Sequence, residues 1–299
     1  MHFLPKLIFI SLTVLFANNS IAQDSANDAE QLKIAALEAL MSAPPDRALP
    51  LVAKVLASDN SDEIKLRALF VLSQIDLPEA QTILLETARN DGGELRLEAI
   101  RMIGISGDPT GTAGLADIYR SGDNDTKEAV LQAYLIADDT QSVYEIAANA
   151  ASDEEFDEAV HILAVMGAND ELRQLRDRPG SSESLIDAYA ISGDVESLRD
   201  LAMDNSNPER QTQAIHGLGI VGGDEVNTTL VVIYRGTESP EVRDAALHGM
   251  MIADHDEGVL ELFRSSQDPE EKTELLRMLV MMDSDAAMDA IEKALDGGT

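Results

Sequence analysis

One pattern of residues recurs nine times along this chain, and it restricts the fold more than any other property of the sequence. In the segment Glu63 to Asp76, Ala68, Leu69 and Leu72 stand at offsets 0, +1 and +4. The same offsets hold Ala99, Ile100 and Ile103, then Val130, Leu131 and Tyr134, then Ala159, Val160 and Leu163. The series runs on through Leu185, Ile186 and Tyr189; Ala214, Ile215 and Leu218; Ala246, Leu247 and Met250; and Leu275, Leu276 and Leu279, with Ala36, Leu37 and Leu40 ahead of them. Offsets of 0, +1 and +4 fall on one side of a helix, so each copy predicts an amphipathic helix with a buried stripe.

The register also predicts where each helix stops. The position of Asp76 is held in later copies by Gly107, Asp138, Gly167, Gly193, Gly222, Asp254 and Asp283, at intervals of 26 to 32 residues. Gly accepts a left-handed backbone without a side-chain penalty, and Asp bonds locally within a turn. A second apolar stretch follows each turn, as in Ala80 to Ala88, Val226 to Tyr234 and Ala287 to Leu295, so the period holds two helices and two turns. First helices are announced by Asn207-Pro208-Glu209, Ser239-Pro240-Glu241 and Asp268-Pro269-Glu270, each a capping side chain, a Pro and an acid. Second helices end in Ile118-Tyr119-Arg120, Ile233-Tyr234-Arg235 and Leu262-Phe263-Arg264, where a cation suits the negative end of the helix dipole.

Composition agrees. The 299 residues contain no Trp and no Cys, and aromatics make up 4% against 44% hydrophobic residues overall. A core of Leu, Ile, Val, Ala and Met suits stacked helices better than sheets, where aromatic and β-branched side chains are usual. Length alone would suggest about two domains; the repeat predicts a single array over residues 30–297 instead, preceded by a flexible stretch at 23–29.

A helix pair of about 30 residues with an Asp or Gly turn and a Pro-Glu start resembles the HEAT repeat family, in the short HEAT-like form of bilin lyases. The resemblance covers about residues 30–297. It implies an all-α fold, an α-solenoid of about nine stacked antiparallel helix pairs, with partner proteins held along a concave face lined by second helices. Leu185 and Val130 stand where most copies have Ala, the copy around Ser184 is short, and Asp177 to Ser182 reads as a loop. A bend in the array near 177–185 is therefore expected.

The first 22 residues carry a different message. A weakly basic start with Lys6 leads into an apolar run from Leu7 to Ala17, too short for a bilayer that needs about 20 residues. Ser20 and Ala22 then occupy the small-x-small positions of a signal-peptide cleavage site, which places the cut between Ala22 and Gln23. The expected location is the periplasm or the extracellular space. Without Cys, no disulfide supports the fold there.

Charge excludes one partner class. With 22 basic against 55 acidic side chains the net charge is −33, and nucleic-acid affinity needs Lys and Arg to displace counterions. A basic protein or peptide is the favoured partner, because an acidic surface attracts cations at range.

Motifs for chemistry are scarce. His161, His216 and His248 share the column of Phe70, but successive repeats about 10 Å apart would hold two imidazoles too far apart to share a zinc. The iron site implied by likeness to the deoxyhypusine hydroxylases requires His-Glu dipeptides, which are missing; His255 precedes Asp256. Acid clusters such as Asp123-Asn124-Asp125 and Asp254-His255-Asp256-Glu257 lack the frame of a calcium loop and sit where helix starts want acids. Gly217-Leu218-Gly219-Ile220-Val221-Gly222 matches a dinucleotide-binding motif only as text, since no strand precedes it.

These observations predict no catalytic, metal or cofactor site, and a chain that is not an enzyme but a scaffold binding a protein or peptide along its concave face. Tyr119, Tyr144, Tyr234 and Phe263, on second helices, are the candidate partner-binding residues. Two readings stay open beside this one. The first is an acidic, salt-adapted structural protein with weak calcium binding; the second is a HEAT-like enzyme.

Overall fold

The structure, a computed structural model, describes residues 28–176, 178 and 182–295. The segment 1–22 and the expected cleavage site at Ala22 and Gln23 lie outside the described residues. The described chain is helical throughout, with no strand, and it divides into two compact units, one ending at Asp139 and the other beginning at Thr140.

The first unit runs α1 (residues 28–40), α2 (Pro45–Leu56), α3 (Asp62–Ser73), α4 (Pro78–Asn90), α5 (Gly93–Ser106), α6 (Pro109–Ser121) and α7 (Asn124–Ala137). Consecutive helices pair, and each first helix also packs on the next: α5 lies between α3 and α7, while α4 packs on α6 in a second layer. The second unit runs α8 (Thr140–Ala148), α9 (Asp153–Val165), α10 (Asn169–Gln174), α11 (Ser182–Ser192), α12 (Val195–Met203), α13 (Pro208–Val221), α14 (Asp224–Gly236), α15 (Pro240–Ile252), α16 (Asp256–Ser265), α17 (Pro269–Met281) and α18 (Asp285–Leu295). The same two layers form there, α9, α11, α13 and α15 in one and α12, α14 and α16 in the other. Each unit is thus an α-solenoid segment.

The repeat columns are the core. Ala68, Ala99, Ala159, Ala214 and Ala246 are fully buried, as are Leu72, Ile103, Tyr134, Leu163 and Leu218 of the third column. Leu185 and Val130 are buried as well, so the larger residues are absorbed by packing. Ala36 on α1 is exposed, because among the described residues no earlier repeat covers it.

Seven of the eight turn positions have a positive φ, 61° for Gly107, 57° for Asp138 and 53° for Asp254 and Asp283, with Gly167, Gly193 and Gly222 also positive. The Pro starts are capped as their sequences require. The Asn207 carboxamide oxygen accepts from the amides of Glu209 and Arg210 at 3.1 Å, and Asp268 accepts from the Glu270 amide at 3.0 Å. Around 177–185, residues 177 and 179–181 lie outside the described residues. Beyond them α11 packs on both α9 and α13, so the first-helix layer continues.

Small residues decide how closely the first helices approach. The position after the third core column is Gly104 on α5, and a Cβ there would lie 2.7 Å from the Ala133 Cα of α7. The same position on α13 is Gly219, which faces Gly249 of α15. Gly217 and Gly219, two glycines of the dinucleotide-like text, therefore serve helix packing, and Gly222 is the helix stop at φ 67°.

Candidate binding surfaces

Each unit presents a first-helix face and a second-helix face, and the two differ in where bases lie along the helices. Six second helices end in cations: Lys54, Arg89, Arg120, Arg173, Arg235 and Arg264 lie in the last turns of α2, α4, α6, α10, α14 and α16, while α8 and α12 have none. First helices start with acids, and α3, α5, α7, α9, α13, α15 and α17 have no base in the last turn. Dipole complementarity explains the placement, and its result is a second-helix face that is mixed in charge rather than evenly acidic.

A groove of that face lies between α14 and α16, with a volume of about 550 Å³. Thr228, Val232 and Arg235 line one wall and Glu257, Glu261 and Arg264 the other. Arg235 and Glu261 form an ion pair at 2.9 Å across it. Val232 is 49% exposed beside them, so the groove offers an apolar contact flanked by both signs of charge.

The four aromatics expected at the binding face divide. Tyr119 and Tyr234 are buried, and Tyr234 donates from its hydroxyl to Glu271 at 2.9 Å. A helix of 3.6 residues per turn turns these rings toward the adjoining repeat while the neighbouring Arg120 and Arg235 stay outside. Tyr144 and Phe263 are half-buried. Only the latter two expose part of a ring, and Val232 is among the exposed apolar residues of the second helices, with Leu51 on α2 and Met203 on α12.

On the first-helix face, His216 and His248 stack with ring centroids 6.1 Å apart and planes 10° from parallel. This is closer than the spacing of about 10 Å expected between repeats; the Gly219 and Gly249 contact draws α13 and α15 together. His161 lies apart from this pair, in a groove lined by Asp153, Asp157, Glu183 and Asp187. Among the described residues, no group of three or more His, Cys, Asp or Glu side chains is arranged to hold a metal ion.

The same face carries a feature that the sequence reading passed over. Two residues after the third core column stand Ile105 and Ile136 in the first unit, and Val165, Ile191, Ile220, Ile252 and Met281 in the second. All seven are exposed, from 37% for Ile252 to 66% for Met281. The signal lies in the repeat register itself, at a column two residues before the turn position and outside the three core columns.

One polar cluster is buried. Asp194 caps α12 through the Ser197 amide at 3.2 Å and accepts from the Ser197 hydroxyl at 2.7 Å and from Arg173 at 2.6 and 2.8 Å. Burial pushes its carboxyl pKa up, but the Arg173 guanidinium and Ser197 more than offset this and hold it below the ordinary 3.8. Every acceptor site is used within the fold, so the cluster ties α10 to α12.

Residues 49–135 match the family model described as HEAT repeats. No curated protein matches the sequence. Among solved structures, human deoxyhypusine hydroxylase in complex with glycerol is 20% identical, over 84% of this chain and 91% of that one, with a TM-score of 0.37. The complex of CpcE and CpcF of phycocyanin lyase from Nostoc sp. PCC7120 is 15% identical, over 80% and 94%, with a TM-score of 0.35. An engineered protein is 18% identical, over 78% and 95%, at 0.27. A hydroxylase and a lyase among these structures overturn the expectation that the chain is not an enzyme, because similar proteins include enzymes. Residues 49–135 thus carry the pattern of HEAT repeats.

Proposed function

We infer that the chain is an exported protein-interaction scaffold that holds a protein or peptide along the second-helix face of its repeats. The observation that carries this reading is the groove between α14 and α16, where the exposed Val232 lies beside the Arg235–Glu261 pair and Arg264. An acidic surface serving solubility alone needs no such mixture, whereas protein interfaces combine an apolar centre with a polar rim. The net charge of −33 favours basic partners at encounter, and screening over about 8 Å leaves affinity to close contacts. Export rests on the pattern of residues 1–22.

A photo-crosslinking residue at Val232, activated in the native cell, tests the reading. A single partner recovered reproducibly from Val232, and absent when the probe sits on the opposite face, is the expected result. Failure to recover any reproducible adduct from positions along the second helices would overturn it.

A further inference from the structure

The exposed aliphatic column of the second unit forms a stripe across adjoining helices. Val165, Ile191, Ile220 and Ile252 occupy the same position on α9, α11, α13 and α15, which pack in that order. The stacked rings of His216 and His248, one turn before Ile220 and Ile252, establish that these helix faces lie side by side. A large aliphatic side chain left half in water at one rung needs no explanation. Four in consecutive rungs, on a chain otherwise rich in acids, form a contiguous apolar track on the side of the unit away from the second helices.

Acids border this track on both sides. Asp157, Glu183, Asp187 and Asp244 are exposed one or two turns before the aliphatic residues on the same helix faces, and Asp224 and Asp254 are exposed in or beyond the turns that follow. A second copy of this chain brings another net charge of −33 against those borders, and an anionic lipid surface is repelled in the same way. Helix packing sets rungs about 8–10 Å apart. On an α-helix, residues seven apart are separated by about 10.5 Å, so a helix laid across the rungs meets them with apolar residues in a heptad pattern. We propose that this first-helix stripe is a docking surface for a basic amphipathic helix of a partner protein, with Leu-type residues on Val165, Ile191, Ile220 and Ile252 and Lys or Arg against the acidic borders. The surface is a second one, distinct from the second-helix groove, and stands independently of what that groove holds.

The test uses a synthetic helix of about 22 residues, long enough for the four rungs, with Leu on one face and Lys on the other. Its control has the same charge and Gln in place of Leu. At physiological salt the full chain should bind the Leu peptide about tenfold or more tightly than the control, since apolar burial is not screened. The variant I191S/I220S/I252S should lose that preference while keeping its thermal unfolding midpoint, because the three side chains are exposed. I220K/I252K, which adds like charge to the track, should lose it as well. Equal binding of the two peptides by the native chain would overturn the proposal, as would a preference that survives both variants. A preference lost only in V232S/R235A would also overturn it, and would leave the second-helix reading in place. Self-association of the native chain that disappears in I191S/I220S/I252S would replace the partner helix with a second copy and overturn it too.

Discussion

Gly219 of α13 lies so close to Gly249 of α15 that a Cβ on Gly219 would sit 2.8 Å from the Gly249 Cα. This contact sets the approach of the two helices and brings His216 and His248 into a stack. Gly219→Ala gains about 1 kcal/mol of helix propensity but drives a methyl into backbone, which overpacking data price at about 1–3 kcal/mol or more. A net loss of about 1–2 kcal/mol is expected in urea unfolding. Gly249→Ala meets only the Leu230 side chain at 3.2 Å and the Ile215 carbonyl at 3.3 Å, so it should stay within about 1 kcal/mol of the native protein.

Gly107 isolates the backbone contribution. It stands at φ 61° with nothing within 4 Å of a would-be Cβ, so Gly107→Ala changes no packing. The left-handed conformation alone should cost about 1–2 kcal/mol. Gly107→Asn should cost less, as Asp138 occupies the same turn position at φ 57°. Equilibrium denaturation of the two variants side by side checks the order.

Asp194→Asn removes the charge that Arg173 and Ser197 surround, and a loss of about 1–3 kcal/mol is expected at neutral pH. The native carboxyl pKa is depressed, so its stabilisation is complete above the unfolded value near 3.9 and is lost as pH falls through the lower folded value. The gap in stability between native protein and variant should therefore be constant from pH 7 to about 5 and close under acid below about pH 4. Unfolding curves at several pH values decide this.

Tyr119→Ala empties a buried site and should cost about 3–5 kcal/mol. Tyr144→Ala, at a half-buried ring, should cost markedly less. Thermal unfolding separates the two. Partner capture by the Val232 crosslink should be unchanged by Tyr144→Ala if the groove between α14 and α16 is the binding site.

If residues 1–22 are an export signal, the mature protein begins at Gln23, and Ala22→Leu should block processing because the residue before the cut must be small. The mass of the protein isolated from its native cells reads this directly.

The helices, their caps and their turns were legible in the sequence because each depends on residues within one turn of chain. Asn207 and Asp268 cap the amides two residues on, and the Gly and Asp turn column takes a left-handed backbone from its own side chain or lack of one. Periodicity likewise marked the core columns, down to Leu185 and Val130. Legibility failed where a side chain's surroundings come from another repeat. Tyr119 and Tyr234 read as aromatics on a second helix, but the adjoining repeat covers them. The histidine column read as imidazoles held apart, yet two glycines on different helices bring a pair together.

The amino-acid sequence by itself determined a repeated helix pair, its register and its stops, since these follow from spacing, capping and backbone preference inside about 30 residues. Tertiary structure alone decided which faces are open. The described chain forms two compact units, one ending at Asp139 and the other beginning at Thr140, the second-helix face is mixed rather than acidic, and a column of aliphatic residues beside the turns is left in water. Exposure is a sum over neighbours from several repeats, and no single repeat contains the residues that cover it.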